Sequence, residues 1–347
     1  MPILDDRIKK GLKLFIAFVA VTMLALLIFT ASRETIEALG KMNPFYLLIA
    51  LIFWGIYLVL DSFRISLLTH GVTGRWGSIK TGIEILLTGA FLAAVTPFQT
   101  GGLPVQLYIF KRDGIPWSRG TLIILLRGIF FAIMMISLLP FFLPILAKEL
   151  NVTSVRNLSI YSGAIYLFTL ILFVFILTKP DIIKRFIYRI TIQRGKRTKA
   201  TRWTYRIFKE IKEMKEGFWH FSVKKKWHSA ASFILTYITY IPYFFIAPFL
   251  LRGLGIEVPF VKATFLQLVV ILFTFFSPTP GATGISEGGF ALLFSPIVAK
   301  HILGVFTILW RFFTFYLTAI IGGIDTLKVL KLGGMEFEQK QIQQRES

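Results

Sequence analysis

Two arginines stand in the middle of apolar runs, Arg127 in "IILLRGIFF" and Arg311 in "TILWRFFTF". A guanidinium in hydrocarbon costs about 2.5–3.5 kcal/mol on insertion scales, so each needs a partner or a task. The task that suits it is holding a phosphate, by two parallel hydrogen bonds where geometry allows. The partner reading is a buried ion pair with one of two carboxylates, Glu84 or Glu287. Both readings hold together if a lipid phosphate exchanges against Glu287 for one arginine. Either carboxylate could also bind a proton or a cationic head group. Asp61 and Arg64, three residues apart near the end of an apolar run, are expected to pair locally.

Each arginine follows a broken apolar segment. The first reads "IKTGIEILLTGAFLAAVTPFQTGGLPVQLYIF" from Ile79, and the second "VKATFLQLVVILFTFFSPTPGATGISEGGFALLF" from Val261. Lys80 precedes Pro97 by 17 residues and Lys262 precedes Pro280 by 18. Pro97 lies four residues before Gly101, as Pro280 lies four before Gly284, and the arginines follow the prolines by 30 and 31. Three matched spacings in one order mark an internal repeat, over about 79–140 and 261–323. Half-helices beginning after Gly102 and Gly284 would aim free N–H groups and positive dipole ends at an anion. The candidate substrate-binding set is Arg127, Arg311, Glu287, Glu84, Gln99, Gly101, Gly102, Pro97, Pro280, Gly281, Gly284 and Ser286. Lys80 and Lys262, at the mouths of the broken segments, read as snorkelling anchors.

The elements that must position these residues are membrane helices. Hydrophobic residues make up 55% of the 347 and charged ones 16%, with mean hydropathy +0.70. Six segments have the length and polarity of spans, near 12–30, 45–69, 119–140, 158–178, 229–250 and 300–323. The first reads as a retained span, because no small-residue cleavage site follows its long apolar run. The polar breaks at 96–102 and 277–289 cannot face lipid, where an unsatisfied backbone group costs several kcal/mol.

Charge decides how the broken segments run. Between Lys179 and Lys226 there are 16 Lys/Arg against 4 Asp/Glu, which places +12 of the net +21 in one stretch. If each broken segment crossed once, that stretch would lie outside, against the positive-inside rule. If each enters and returns, the termini and the basic stretch share the cytoplasmic side. The expected fold is all-α and polytopic, with six spans and two re-entrant hairpins in an inverted-topology repeat. Trp203, Ile207, Ile211, Met214 and Phe218 recur at helical spacing within the basic stretch, as in a helix lying on an anionic leaflet. The charge is thus a membrane feature and no nucleic-acid partner is expected.

Other chemistries find little support. There is no cysteine, the four histidines lack metal-ligand spacing, and no phosphate loop or nucleophile elbow occurs. No cofactor, metal or catalytic residue is expected. An intramembrane enzyme using Glu287 as base would lack a histidine or second carboxylate beside the motifs.

The chain resembles the flippase-like family named for the transmembrane region of lysylphosphatidylglycerol synthase, the multiple peptide resistance factor. "TPFQTGGLPVQLYIFKRDGI" with Arg127 downstream and "PTPGATGISEGGFALL" with Arg311 downstream carry the resemblance, over nearly all of residues 10–330. It implies a domain that carries lipids between leaflets by inverted re-entrant helices, and it is compatible with a homodimer. Many members have an arginine and an acidic residue near the positions of Gln99 and Gly102, and glycine where Ala282 stands. No segment here matches the aminoacyltransferase domain, so lysyl transfer is not implied. The expected function is translocation of a phospholipid or polyprenyl-phosphate lipid across an inner membrane, without an ATPase. The rivals are a carrier of small soluble anions and a non-transporting scaffold.

Overall fold

The computed structural model describes residues 33–96, 99–149, 210–274, 277–326 and 328, with scattered positions between 160 and 175. Among these no strand occurs. The expected spans near 12–30 and most of 158–178 lie outside the described residues, as do Pro97, Trp203 and Ile207.

A short helix, α1 (Arg33–Gly40), precedes α2 (Pro44–Thr73). The ends of α2 are written in its sequence. Asn43 Oδ1 accepts the Phe45 N–H, Pro44 sits where a missing N–H costs nothing, and Gly74 at φ 79° closes the far end onto the His70 carbonyl. The first hairpin follows as α3 (Ile79–Ala94) and α4 (Gly102–Arg112), then the long α5 (Trp117–Glu149). A helical stretch from 210 leads through a π-turn (His220–Lys224) into α6 (Lys226–Gly253). The second hairpin is α7 (Phe260–Thr274) and α8 (Ile285–Phe294). Last comes α9, Lys300–Arg311 running through a π-turn at Phe312–Tyr316 and on to Thr326.

Helices α2, α5 to Leu138, α6 and α9 are long and apolar enough to cross a membrane. At about 1.5 Å per residue α3 and α4 extend only about 24 and 17 Å, short of a hydrocarbon core about 30 Å thick. They run antiparallel. Gly102 packs on Gly89, Gln106 lies over Gly89, and at the open end Arg112 and Asp113 reach back to Glu84 and Thr81. A Cβ on Gly102 would stand 2.9 Å from the Gly89 carbonyl oxygen, and one on Gly101 2.7 Å from that of Leu92. This hairpin closes only around glycine.

The starts of α2, α3, α4 and α5 (44, 79, 102, 117) recur at α6, α7, α8 and α9 (226, 260, 285, 300), each 181–183 residues later. The matching order therefore begins one helix earlier than the broken segments. Helices α2 and α6 form the central seam. Gly253 packs on Tyr46, Phe249 on Phe53, Tyr243 on Tyr57 and His228 on His70, so the two run antiparallel. Outward-facing Leu48, Ile52, Val59 and Phe63 on α2, with Ile234, Ile238 and Ile241 on α6, are exposed, as lipid-facing residues are.

Two apolar cores flank the seam. One gathers Ile85, Ile109, Phe110, Leu122 and Leu126, the other Leu266, Val270, Phe290, Phe306 and Trp310. Phe290 and Trp310 stack with ring centres 4.0 Å apart. Gln267 of α7 is buried at the second core, where its Oε1 accepts the Ala247 N–H (3.1 Å) and its Nε2 donates to the Tyr243 carbonyl (2.9 Å). It bridges a donor and an acceptor one turn apart on α6, between Pro242 and Pro248, which lie inside the helix and lack an N–H to donate.

The basic stretch departs from expectation where it is described. Met214 and Phe221 are buried in the first core, and Phe218 packs against it. The apolar stripe from 210 onward is thus covered by protein, leaving Trp219 and Trp227 exposed. The intrachain core offered that stripe a drier partner than a leaflet does.

Candidate functional site

The first ionic centre lies at the seam. Asp61 and Arg64 on α2 are fully buried, and Arg64 Nε donates to Asp61 Oδ1 at 2.8 Å. This is the local pair expected from their spacing. Arg127 on α5 joins them, with Nη2 2.5 Å from Asp61 Oδ2 and Nε 3.4 Å from Oδ1. Tyr57 hydroxyl lies 3.5 Å from the same carboxylate, and the Tyr240 ring lies under the Arg64 guanidinium at 5.6 Å. One carboxylate serves two guanidinium groups, which leaves a net +1 among the described residues. Arg64 Nη1 is buried without a hydrogen bond among them, while the Arg127 side chain keeps 20% of its surface accessible.

The second centre lies at the break of the second hairpin. Arg311 Nε donates to Glu287 Oε1 at 2.9 Å, and its Nη2 donates to the Gly281 carbonyl. Tyr316 hydroxyl donates to Oε1 at 2.7 Å, and the Gly284 N–H donates to Oε2 at 2.7 Å. Gly284 opens α8 at φ 87°, so Glu287 accepts from the first free N–H of the helix. Phe315 stacks its ring 4.0 Å from the Arg311 guanidinium carbon. Ser286 and Thr283 are buried here, and neither hydroxyl has a hydrogen-bond partner among the described residues. The turn Pro280–Ala282 is tight, with Gly281 at φ 59° and Ala282 at φ 58°. Ala282 thus holds a left-handed backbone that glycine adopts without cost, which costs about 1–2 kcal/mol in an alanine.

The tips of the two hairpins meet. Gln99, at φ 56°, donates from Nε2 to the Thr274 carbonyl at 3.2 Å, and Pro280–Ala282 packs against α3. Thr96 fixes the first turn by accepting the Gly101 N–H at 2.8 Å. Gly322 and Gly323 of α9 lie against Leu87 and Phe91 of α3. The apolar halves are thereby sewn together at their polar breaks.

Of the expected partnerships, Glu287 with Arg311 is present. Glu84 does not reach Arg127; it pairs with Arg112 at 2.5 Å at the half-exposed open end of the first hairpin. The carboxylate that Arg127 uses is Asp61, on a different helix and 66 residues away. Lys80 is exposed, as a snorkelling anchor would be. Asp61, Arg64, Tyr57, Tyr240, Tyr316 and Thr283 were not among the expected site residues. A carboxylate and an arginine inside "LVLDSFRISLL" were the signal for the first two, since any ionisable residue within a membrane helix points to function or a partner.

Residues 12–322 match the family described as the lysylphosphatidylglycerol synthase TM region. The chain belongs to this family. Two relatives extend the match over most of their length. A UPF0104 membrane protein of Archaeoglobus fulgidus is 24% identical over 308 residues, 86% of this chain and 90% of that protein. A UPF0104 membrane protein of Pyrococcus horikoshii is 23% identical over 334 residues, 92% of this chain and 98% of that one. A helical membrane protein of the lysylphosphatidylglycerol synthase TM-region family is thus the firm identity. Both ionic centres fall within the matched residues.

Proposed function

We propose that this protein carries an anionic lipid between leaflets, binding its phosphate at Arg127 and Arg64 and passing it towards Arg311. One observation carries the reading. A buried net +1 in a low-dielectric bundle is unfavourable by several kcal/mol unless an anion completes it, and Arg127 is the member of the cluster that remains accessible. A monoanionic phosphate would neutralise the cluster and supply acceptors for the unbonded Arg64 Nη1.

The architecture supports a carrier. Broken helices meeting at a polar junction, in halves whose first helices run antiparallel, suit an inverted repeat with re-entrant hairpins around a mid-membrane site. The hairpins would then open in turn to opposite sides, with both termini cytoplasmic at an inner membrane. An apolar groove of about 410 Å³ between α2 and α6, lined by Phe53, Ile56, Leu60, Ile238, Ile241 and Pro242 among others, favours a lipid over a soluble anion. The acyl chains would lie there while the head group crosses. No catalytic step is proposed.

The test is translocation of labelled phosphatidylglycerol in proteoliposomes, comparing wild type with Arg127→Ala and Arg311→Ala after each variant is checked for folding. The expected result is movement in wild type that both variants lose. Retained movement in both variants refutes the site. Transport of inorganic phosphate without lipid movement assigns the same site to a soluble anion.

A further inference from the structure

The two centres differ in what fills them. Around the second, three donors converge on one carboxylate: the Gly284 N–H, the Tyr316 hydroxyl and Arg311 Nε, while Arg311 Nη2 donates to the Gly281 carbonyl beside them. Two more hydroxyls, Ser286 and Thr283, are buried beside them without partners among the described residues. Such a set suits an anion with more oxygens than a carboxylate has. What occupies it is Glu287, held there by the helix that the donors begin. The carboxylate uses all three donors and leaves both hydroxyls unmet among the described residues.

We infer that Glu287 is a resident stand-in for the lipid phosphate, and that its displacement couples lipid movement to a proton. The inference rests on the carrier reading above. When phosphate takes the donors, Glu287 loses its cation and its N–H partner together. A carboxylate stripped of both leaves an uncompensated charge in an apolar bundle, which uptake of one proton removes. It takes one proton from water on the side to which the site is open, and no covalent bond changes. When the lipid leaves on the other side, Glu287 returns to Arg311 and releases that proton there. One anionic lipid and one proton thus cross together without net charge.

Among the described residues, Glu287 is the group left for this exchange. The π-turn and α9 present Arg311 and Tyr316 to it, and Tyr243 of α6 approaches through the Thr314 carbonyl. Helix α7, packed on α8, has Lys262 near its start as its one ionisable residue. On α3, which packs against the Pro280–Ala282 turn, Lys80 is exposed and Glu84 is tied to Arg112 at the far end.

The first centre is filled by Asp61, which accepts from both Arg64 and Arg127. Arg127 and Arg311 fall at matching places in the two halves, yet Asp61 lies on a long helix and Glu287 on a half-helix. Only the second carboxylate sits on an element short enough to move with its hairpin.

The experiment uses full-length protein in liposomes with labelled phosphatidylglycerol, membrane potential clamped at zero and a pH step imposed across the bilayer. The readout is the final ratio of label between leaflets. One coupled proton enriches the alkaline leaflet by about tenfold per pH unit. In Glu287→Gln, checked for folding, the ratio stays near one at every gradient. Wild-type lipid that equilibrates to a ratio of one despite the gradient overturns the coupling and leaves the carrier standing. An undiminished tenfold shift in Glu287→Gln overturns the assignment to this residue. Absence of movement in wild type removes the carrier reading, and this inference with it. The wild-type arm decides coupling even where the variant fails to fold.

Discussion

Removing Asp61 tests the charge count of the first centre most directly. In Asp61→Asn two buried guanidinium groups lose their common counterion, and both remain beside each other at the seam. Breaking a buried pair by deleting one partner costs about 3–5 kcal/mol. Deleting either arginine instead leaves a neutral pair, Asp61 with Arg127 or Asp61 with Arg64. The loss is then of charge-assisted hydrogen bonds, about 1.5–3 kcal/mol, and less for the part-exposed Arg127. The expected order of destabilisation is Asp61→Asn, then Arg64→Gln, then Arg127→Gln. The double variant Asp61→Asn with Arg64→Gln should recover part of the first loss, since one stranded charge goes with its partner. Thermal unfolding in one detergent, followed by tryptophan fluorescence, reads all four proteins. If Asp61→Asn melts no lower than Arg64→Gln, the excess positive charge is not real and the anion site loses its main support.

Four further variants probe how the helices are held. A Cβ on Gly322 would stand 1.9 Å from the Leu87 carbonyl oxygen, a backbone atom that cannot step aside. Gly322→Ala should therefore cost about 3 kcal/mol, visible as a lowered melting temperature, whereas Gly288→Ala, with open space around it, should not. Gln267→Leu strands the Ala247 N–H and the Tyr243 carbonyl and should cost about 2–4 kcal/mol. A loss under about 1 kcal/mol there would mean that α6 closes the bond by itself. Glu84→Gln removes only a part-exposed pair with Arg112, so a change within about 1 kcal/mol is expected; a larger one would give Glu84 a role the structure does not.

Local signals were legible and distant partnerships were not. Asn43, Pro44 and Gly74 bound α2 because caps act within a turn of themselves, and the two breaks are plain because proline and glycine interrupt apolar runs. The Asp61–Arg64 pair follows from helical spacing alone. The Asp61–Arg127 bond joins helices that charge and periodicity cannot pair, so a nearer hairpin carboxylate, Glu84, looked as suitable. The stripe carrying Met214 had the same difficulty, since the same helical spacing serves a leaflet or a protein core. The meeting of the hairpin tips, through Gln99 and the Thr274 carbonyl, has no periodic signature at all.

The buried amide of Gln267 has a mechanical meaning. Side chains packed across an apolar interface can slide by exchanging neighbours, but a bridge to two main-chain groups acts as a rivet. Helix α7 cannot shift along α6 without either shearing both bonds or dragging the stretch between Tyr243 and Ala247 with it. That stretch adjoins Tyr240, whose ring supports Arg64, and Tyr243 itself reaches across to the Thr314 carbonyl beside the second centre. The second hairpin and the opposite charged cluster are therefore joined through backbone, as by a rod rather than by two surfaces in sliding contact.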